Sequence, residues 1–558
     1  MVTSKVVIKN DIPILTVNGQ EISANAYITY FTPRARYDDF VEAGYKLFSV
    51  PIFFASRTLQ VMGPAPAFYE GIFDTKGKPD FSIADRIFGQ VLECCPDAMI
   101  LPRINVSLPG WWEKEHPEEL CDNGFFDDKR PCFSSDLWAE QTKVFLGEFL
   151  EHMQSVPYRD HVIGYQIAGG NTEEWFPFDM NGSIGRRSRE KFEAYCQQKG
   201  ILQSEAEYYR FLSKIIAERI CEFAAYVKEK TCHELVVGSF YGYTLECVTK
   251  EKCHHALHVL LACEDIDFIC SPVSYAYGRA LGQAHGYMLP IDSLKLHGKL
   301  YFSENDTRTH LTRIPFEVPH YQKPVWEPRN FEETMEMLKM HFARAITHGH
   351  ALWWFDMWGG WYHDGSYMSL FSKMLEITSC AKNKNLRSVA EVAFLIDETG
   401  FCHLNDAQAA PFGKIQRALG LMGTPFDMYL TSDYEAIKGR YKAWIIAVPY
   451  YTPTSERVLS EVAKQGIPVM IIGSEEAGQL EAATLRSFCK NAGVHIYCEK
   501  DAVVYVNESY LFLHTHEEAV YQLHLPEEKK LKSVMGEGPV IFPAYLPKCK
   551  GYLYELYR

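Results

Sequence analysis

An apolar strand followed by a helix recurs eight times between residues 25 and 381. Eight such units in about 360 residues predict a (β/α)8 TIM barrel, because each parallel strand needs a helical crossover to reach the next. A doubly wound open sheet is the alternative, but long segments after the third and fourth strands favour closure. The predicted strands are residues 25–31, 47–54, 99–106, 162–168, 236–243, 267–275, 299–303 and 351–357.

The pattern changes on either side of this repeat. Residues 5–22 predict a hairpin, since Asn18-Gly19 is a strong two-residue turn signal. Residues 1–385 are therefore predicted to form this hairpin and a catalytic barrel. Strands and helices resume over residues 386–500, with strands at 389–396, 443–448 and 467–472, which predicts a small flavodoxin-like α/β domain. Alternating residues at 503–506, 510–515, 520–525 and 551–557 predict a C-terminal antiparallel β domain over 501–558.

Carboxylates stand at the ends of two predicted barrel strands. The strand at 299–303 runs into Glu304, and the strand at 162–168 leads through two glycines to Glu173 and Glu174. Barrel enzymes carry their chemistry at this carboxyl-terminal face. Paired carboxylates in that position suit the cleavage of a glycosidic bond, one as nucleophile and the other as acid/base. Other polar or aromatic residues at strand ends are Arg103, Asn105, Tyr275, Asp306 and Trp354.

Composition excludes several classes of partner. A net charge of −15 disfavours nucleic acid and anionic membranes, which attract basic surfaces. No apolar run approaches the ~20 residues of a membrane span. The 16 cysteines include no Cys-x-x-Cys pair, so neither a metal site nor a cofactor is predicted. Scattered cysteines and the absence of a recognisable signal peptide favour a reducing, cytoplasmic location.

Four stretches of the chain resemble one known family. They are residues 108–118 (Leu-Pro-Gly-Trp-Trp, then His-Pro-Glu), 183–200, 353–362 (Trp-Trp-Phe-Asp-Met-Trp-Gly-Gly-Trp-Tyr), and 391–398 with 425–430. The chain resembles the clan A glycoside hydrolases, within them the family 42 β-galactosidase group or a sister family. The resemblance implies a retaining glycosidase whose second domain mediates a homotrimer.

The segment after the fourth strand departs from that family's pattern. The family carries its acid/base in an Asn-Glu pair directly after this strand, where this chain has Gly169-Gly170. Asn171, Glu173 and Glu174 follow only later. This departure favours a sister family, for example one acting on β-mannosides.

The sequence therefore predicts an exo-acting β-glycosidase for β-galactosides or β-mannosides. Glu304 is assigned as nucleophile and Glu174 as acid/base, with Glu173 as the alternative acid/base. Glu174 is preferred because the ring of the adjacent Trp175 is expected to desolvate the acid. Arg103, Tyr275 and Arg308 are candidate donors to Glu304. Asn171 is a candidate ligand for the sugar 2-hydroxyl, Trp354 for the sugar platform and Trp358 for the pocket wall. A non-catalytic carbohydrate-binding barrel and a metal-dependent barrel hydrolase remain as alternatives.

Overall fold

The computed structural model describes residues 2–56, 70–121, 129–170, 173–177, 185–246, 249–275, 279–313, 326–526, 529–536, 538 and 540–558. A short antiparallel sheet precedes the barrel, made of β1 (Ser4–Lys9), β2 (Ile12–Val17) and β3 (Gln20–Glu21). Ser4 joins this sheet to the barrel, because its Oγ accepts from the amide of Val236 at 2.8 Å, where a barrel strand begins. The sheet thus lies at the amino-terminal end of the barrel, away from the face that carries chemistry.

Eight parallel strands close into a barrel in their sequence order. Each pairs in parallel with the next, and the last pairs with the first. This confirms the predicted TIM barrel. The barrel strands are β4 (Asn25–Ile28), β5 (Leu47–Phe53), β6 (Met99–Asn105), β9 (Gly164–Ala168), β10 (Val236–Phe240), β11 (Phe268–Pro272), β12 (Leu300–Asn305) and β13 (Ala351–Phe355). Between β6 and β9, the short strands β7 (Leu120–Cys121) and β8 (Arg130–Pro131) pair with each other outside the barrel.

Helices surround the barrel and bury its outer face. The longest is α6, whose first turn is capped by Ser204 accepting from the amide of Glu207 at 3.2 Å. The helices are α1 (Tyr37–Glu42), α2 (Ser82–Cys94), α3 (Gly110–Glu115), α4 (Asp136–Ser155), α5 (Arg186–Lys199), α6 (Glu205–Lys230), α7 (Leu257–Ala262), α8 (Ile291–Leu296), α9 (Phe331–His348) and α10 (Gly365–Ala381).

A second parallel sheet follows the barrel, with strand order β15-β14-β16-β17. This is the flavodoxin-like order expected from the sequence, although β15 was not among the strands predicted there. Its strands are β14 (Val392–Ile396), β15 (Asp427–Leu430), β16 (Ala443–Ala447) and β17 (Val469–Ile472). Its helices are α11 (Asp406–Ala409), α12 (Ile415–Gly420), α13 (Tyr434–Ile437), α14 (Pro453–Gln465), α15 (Ser474–Gln479) and α16 (Ala482–Asn491).

The chain ends in antiparallel strands. Four of them form one sheet in the order β18-β19-β23-β21, and β20 pairs with β22. These strands are β18 (Ala502–Val506), β19 (Tyr510–Thr515), β20 (Ala519–Tyr521), β21 (Lys530–Ser533), β22 (Ala544–Leu546) and β23 (Gly551–Tyr557). The β module was predicted, but β21 and β22 were not. Among the described residues, no helix has the length and apolar character that crossing a bilayer requires.

Candidate active site

Glu304 and Arg103 form a buried ion pair inside the barrel. Strand β12 runs to Asn305, so Glu304 lies on the strand itself and not in the loop predicted after residue 303. The Nη2 of Arg103 lies 2.5 Å from the Oε2 of Glu304, and the two side chains are 2% and 3% exposed. Arg103 also donates from Nε to Gln166 at 3.0 Å and from Nη1 to the Tyr30 hydroxyl at 2.7 Å. These contacts hold the guanidinium plane in one orientation.

Two further donors contact the Glu304 carboxylate. The indole Nε1 of Trp353 donates to Oε2 at 3.2 Å, and the Cys270 thiol lies 3.7 Å from the same oxygen. Burial raises the pKa of Glu304 above its ordinary value, while the Arg103 charge lowers it and Asp306 raises it. The donors therefore favour the ionised form against the cost of desolvation.

Neighbouring tryptophans on β13 face opposite sides of the barrel wall. Trp353 stacks on Phe302 at 4.6 Å between ring centroids and reaches Glu304. Trp354 points outward, donating to the Tyr45 hydroxyl at 2.8 Å and packing on Phe371 of α10 at 4.6 Å. Alternation along a strand explains the difference. This corrects the assignment of Trp354 as sugar platform, because it is Trp353 whose ring lies beside Glu304.

The loop after β9 is shaped by unusual backbone conformations. Glu173 and Trp175 have φ values of +67° and +63°, which cost strain in residues other than glycine. The amide of Trp175 donates to the Gly169 carbonyl at 2.8 Å, closing the loop. A Cβ on Gly170, whose φ is +73°, would lie 2.6 Å from the Phe176 carbonyl oxygen. Gly170 is thus required by the tight return of this loop.

The ring of Trp175 lies outside the barrel and not at the site. It is fully buried, with centroids 5.6 Å from Phe133 and 6.2 Å from Phe223 of α6, and its Nε1 donates to the Ile167 carbonyl at 3.3 Å. The expectation that this indole would desolvate Glu174 is therefore not met. Its role in the structure is to anchor the loop on the outer helices.

Glu173 is a buried carboxyl close to the ion pair. Burial raises the pKa of Glu173 to about 8, against lowering effects of the Arg103 charge and a Tyr30 hydrogen bond. The charges of Glu174 and Glu304 raise it further. Its Oε1 is buried without a hydrogen-bond partner in the described part of the chain. Glu173 is thus a third carboxyl of the site and holds a proton near neutral pH.

Glu174 has a different environment from its neighbour. Its side chain is partly exposed, and the Tyr243 hydroxyl donates to its Oε1 at 2.6 Å. Tyr243 follows β10 and packs edge-on against Phe176 at 4.8 Å. A tyrosine from the fifth strand therefore fixes the carboxylate that the fourth strand's loop delivers.

Tyr275 contacts Asp306 and was predicted to contact Glu304. Its hydroxyl donates to the Oδ2 of Asp306 at 2.8 Å, and Arg279 donates to Oδ1 at 2.6 Å. The Arg279 guanidinium also lies over the Tyr275 ring, 4.1 Å from its centroid. Sequence reasoning missed Arg279, because it lies in a loop without any pattern. The Tyr275 hydroxyl thus contacts Asp306, two residues along the chain from Glu304.

The remaining predicted site residues are less central. Arg308 is buried and pairs with Glu327 at 3.6 Å, an ion pair that does not involve Glu304. Trp358 is 5% exposed. Asn171 lies outside the described residues. Of the three predicted donors to the nucleophile, Arg103 contacts Glu304 directly.

The motif after β13 has a structural explanation. The carboxylate of Asp356 accepts from the Tyr27 hydroxyl at 2.9 Å and from the amides of Gly360 and Trp361 at 2.8 and 2.9 Å. Burial raises the pKa of Asp356 to about 6 against these bonds. Asp356 thus holds the turn that follows the strand carrying Trp353. Within the described ranges, no cluster of three or more His, Cys, Asp or Glu side chains could hold a metal ion.

Comparisons with known proteins agree with this architecture. No protein-family model and no curated protein sequence matches the chain. Gan42B, a GH42 β-galactosidase from G. stearothermophilus, is similar over 100% of both chains, with a TM-score of 0.63 and 11% identity. A cold-adapted β-galactosidase from Rahnella sp. R3 is similar over 95% of this chain and 98% of its own, with a TM-score of 0.66 and 12% identity.

A third solved structure extends the range of related chemistry. An apo exo-carrageenase GH42 from Bacteroides ovatus is similar over 99% of this chain and 84% of its own, with a TM-score of 0.58 and 12% identity. At such identities the similarity concerns the fold. The chain has the multidomain TIM-barrel fold seen in GH42 glycoside hydrolases, which confirms the resemblance at the level of architecture.

Proposed function

We propose that this protein is a retaining, exo-acting β-glycosidase. The observation that carries the proposal is the buried Arg103–Glu304 pair, which lies at the carboxyl end of the barrel strands beside the strained loop of Glu173 and Glu174. Two carboxylates at this face are what glycosidic bond cleavage requires. The GH42 fold likeness supports the same reaction class.

Glu304 is the proposed nucleophile. Its carboxylate attacks the anomeric carbon and forms a covalent glycosyl-enzyme, while the aglycone oxygen leaves with a proton from the acid. Arg103 and Trp353 donate to Glu304 and favour the charged form that this attack needs. In the second step, the deprotonated acid removes a proton from water, which attacks the same carbon and releases Glu304.

Glu174 is the proposed acid/base. The acid has to touch the leaving group in the open part of the site, and Glu174 is the partly exposed member of the pair. The Tyr243 hydroxyl donates to its Oε1 and holds the carboxyl in one orientation. Glu173 is buried beside Arg103 and Tyr30, where it borders the nucleophile. The raised pKa of Glu173 keeps it as the alternative acid.

The proposed substrates are terminal β-galactosides or β-mannosides, cleaved from a non-reducing end. The named activities of the GH42 neighbours support a sugar substrate, and long segments after β6 and β9 favour an enclosed pocket. A homotrimer and a cytoplasmic location belong to the same proposal. Light scattering that finds a monomer at micromolar concentration would contradict the trimer.

A panel of aryl β-glycosides tests the proposed function. Wild-type protein is expected to cleave at least one β-galactoside or β-mannoside, and Glu304→Ala to cleave none. Proton NMR of early products should show the β-anomer first, because two displacements retain configuration. If the α-anomer appears first, the reaction inverts and requires carboxyls about 6.5–9.5 Å apart. Cleavage by Glu304→Ala at the wild-type rate would refute the proposal.

A further inference from the structure

His254 lies buried between the two segments that carry Tyr243 and Glu174. It precedes helix α7 and is 0% exposed. Its ring stacks on Tyr241 with 4.2 Å between centroids and 8° between planes, and Phe176 lies 5.0 Å away at a tilt. These contacts fix the ring plane, so its two nitrogens point in defined directions.

One nitrogen of His254 holds the segment of Tyr243. Nδ1 accepts from the backbone amides of Gly242 and Tyr243 at 3.3 and 3.2 Å. A nitrogen that accepts from amides carries no proton, so the proton of the neutral ring is on Nε2. Burial lowers the pKa of His254 well below its ordinary value, which keeps the ring neutral.

The other side of the ring faces the segment of Glu174. Phe176, two residues after Glu174, lies 5.0 Å from the His254 ring and packs edge-on against Tyr243 at 4.8 Å. The Nε2 of His254 is buried and has no hydrogen-bond partner among the described residues. His254 therefore contacts the backbone of Tyr243 on one side and the ring of Phe176 on the other, next to the Tyr243–Glu174 hydrogen bond of 2.6 Å.

We propose that His254 is a positioning residue for the acid/base, which sets Tyr243 and Glu174 at the distance that aims the Glu174 carboxyl at the leaving group. The inference rests on the proposed function. The imidazole spans the gap between the loops after β9 and β10, and nothing about the role requires it to touch substrate. A neutral ring suits it, because Nδ1 has to stay unprotonated to accept from the two amides.

Two substitutions of His254 and one matched control test this proposal. His254→Phe removes both nitrogens and keeps the aromatic stack. His254→Asn keeps an acceptor near the Nδ1 position. The control is His255→Phe, since His255 is also buried but stacks on Phe401 of the second domain at 5.6 Å. Thermal unfolding establishes that each variant is folded at the assay temperature.

The readout is the dependence of kcat/KM on the leaving group. Misplacing the acid slows poor leaving groups, which need the proton, and spares activated nitrophenyl glycosides, which do not. His254→Phe should lose about 100-fold for alkyl aglycones and under about threefold for dinitrophenyl aglycones. The loss in His254→Asn should lie between those of wild type and His254→Phe, because its amide oxygen can accept from the two amides. His255→Phe should change both substrates equally.

Three results would overturn the proposal. One is an equal loss for both leaving groups in every folded His254 variant, which indicates a structural role only. Another is wild-type behaviour of His254→Phe. The last is the same selective loss in His255→Phe. Failure of the proposed function gives a different result, because wild-type protein would then cleave no glycoside. The variants are compared only if the wild-type protein cleaves glycosides with both kinds of leaving group.

Discussion

Arg103 and Glu304 face each other across the barrel interior, from strands β6 and β12, with almost no exposed surface on either side chain. Removing one partner of such a pair leaves the other charge buried without compensation. The pair therefore couples the stability of the barrel to the charge state of the proposed nucleophile.

Arg103→Met should destabilise the fold by about 3–5 kcal/mol, because it leaves Glu304 unpaired. The double variant Arg103→Met, Glu304→Gln should recover much of this loss, since it removes both charges, and should be inactive. Urea unfolding of the three proteins measures the difference. A double variant as unstable as the single one would show that packing, and not the ion pair, accounts for the loss.

Gly170→Ala should destabilise the protein and lower activity. A Cβ there meets the Phe176 carbonyl oxygen at 2.6 Å and the Phe133 ring at 2.9 Å, and the φ of +73° is unfavourable for alanine. The expected cost is about 1–3 kcal/mol. Gly89→Ala in α2 is the control, because its Cβ meets no atom within 4 Å. That change should stabilise by about 0.5–1 kcal/mol in the same thermal unfolding assay.

Trp353→Phe and Trp354→Phe should separate activity from stability. Trp353→Phe removes the donor to Glu304 and should lower kcat by roughly tenfold or more, since hydrogen bonds to charged groups are strong. Trp354→Phe removes a bond to Tyr45 and should cost about 1–3 kcal/mol of stability with little effect on kcat. Kinetics and thermal unfolding of both variants check this. The reverse outcome would restore Trp354 as the platform.

The tryptophan pair illustrates what the sequence can and cannot predict. Period and spacing predicted the eight barrel strands, because every strand is followed by a helix at regular intervals. Residues 351–355 are apolar throughout, since both faces of a parallel barrel strand are buried. Without alternation, the sequence cannot tell which tryptophan faces inward.

Other misses have similar causes. Strands β21 and β22 escaped prediction because one is rich in lysine and the other has three residues. Arg279 and His254 are single residues in segments without a period, and only the folded chain brings them to Asp306 and Tyr243. Glu304 and Arg103 were predictable because each is a charged residue near the carboxyl end of a largely apolar barrel strand.

Stability should fall with rising pH through the titration of Glu173. Its pKa is raised from 4.5 to about 8 by burial, so between these values the folded state holds a proton that the unfolded chain has lost. The stability that the raised pKa of Glu173 contributes is fully present below pH 4.5 and is lost as the pH rises to about 8. Glu173→Gln, neutral at every pH, should show a weaker decline.

Urea unfolding at several pH values from 5 to 8 measures this difference. The comparison with Glu173→Gln matters, because burial also raises the pKa of Asp356 to about 6 and of Asp427 to about 7. Titration of these two groups also lowers the free energy of unfolding as the pH rises. Parallel curves for wild type and Glu173→Gln would show that Glu173 titrates normally in the fold.

Alanine substitutions distinguish the roles of the adjacent residues Glu173 and Glu174. Glu174→Ala should lose about 10²–10⁴-fold on poor leaving groups and keep the first step for activated aryl glycosides, which need no protonation. Azide should then accelerate turnover, because this small anion enters the space of the missing carboxylate and attacks the glycosyl-enzyme. The product should be a β-glycosyl azide, formed by a second inversion at the anomeric carbon.

Glu173→Ala should behave differently, since Glu173 is buried beside Arg103 and Tyr30 and borders the nucleophile. We expect a similar loss for all leaving groups and no acceleration by azide. Mass spectrometry of the azide product, with rates for three aglycones, distinguishes the two residues. Azide acceleration in Glu173→Ala alone would move the acid/base by one residue and leave the double displacement on Glu304 intact. Acceleration in neither variant would argue against a glycosyl-enzyme.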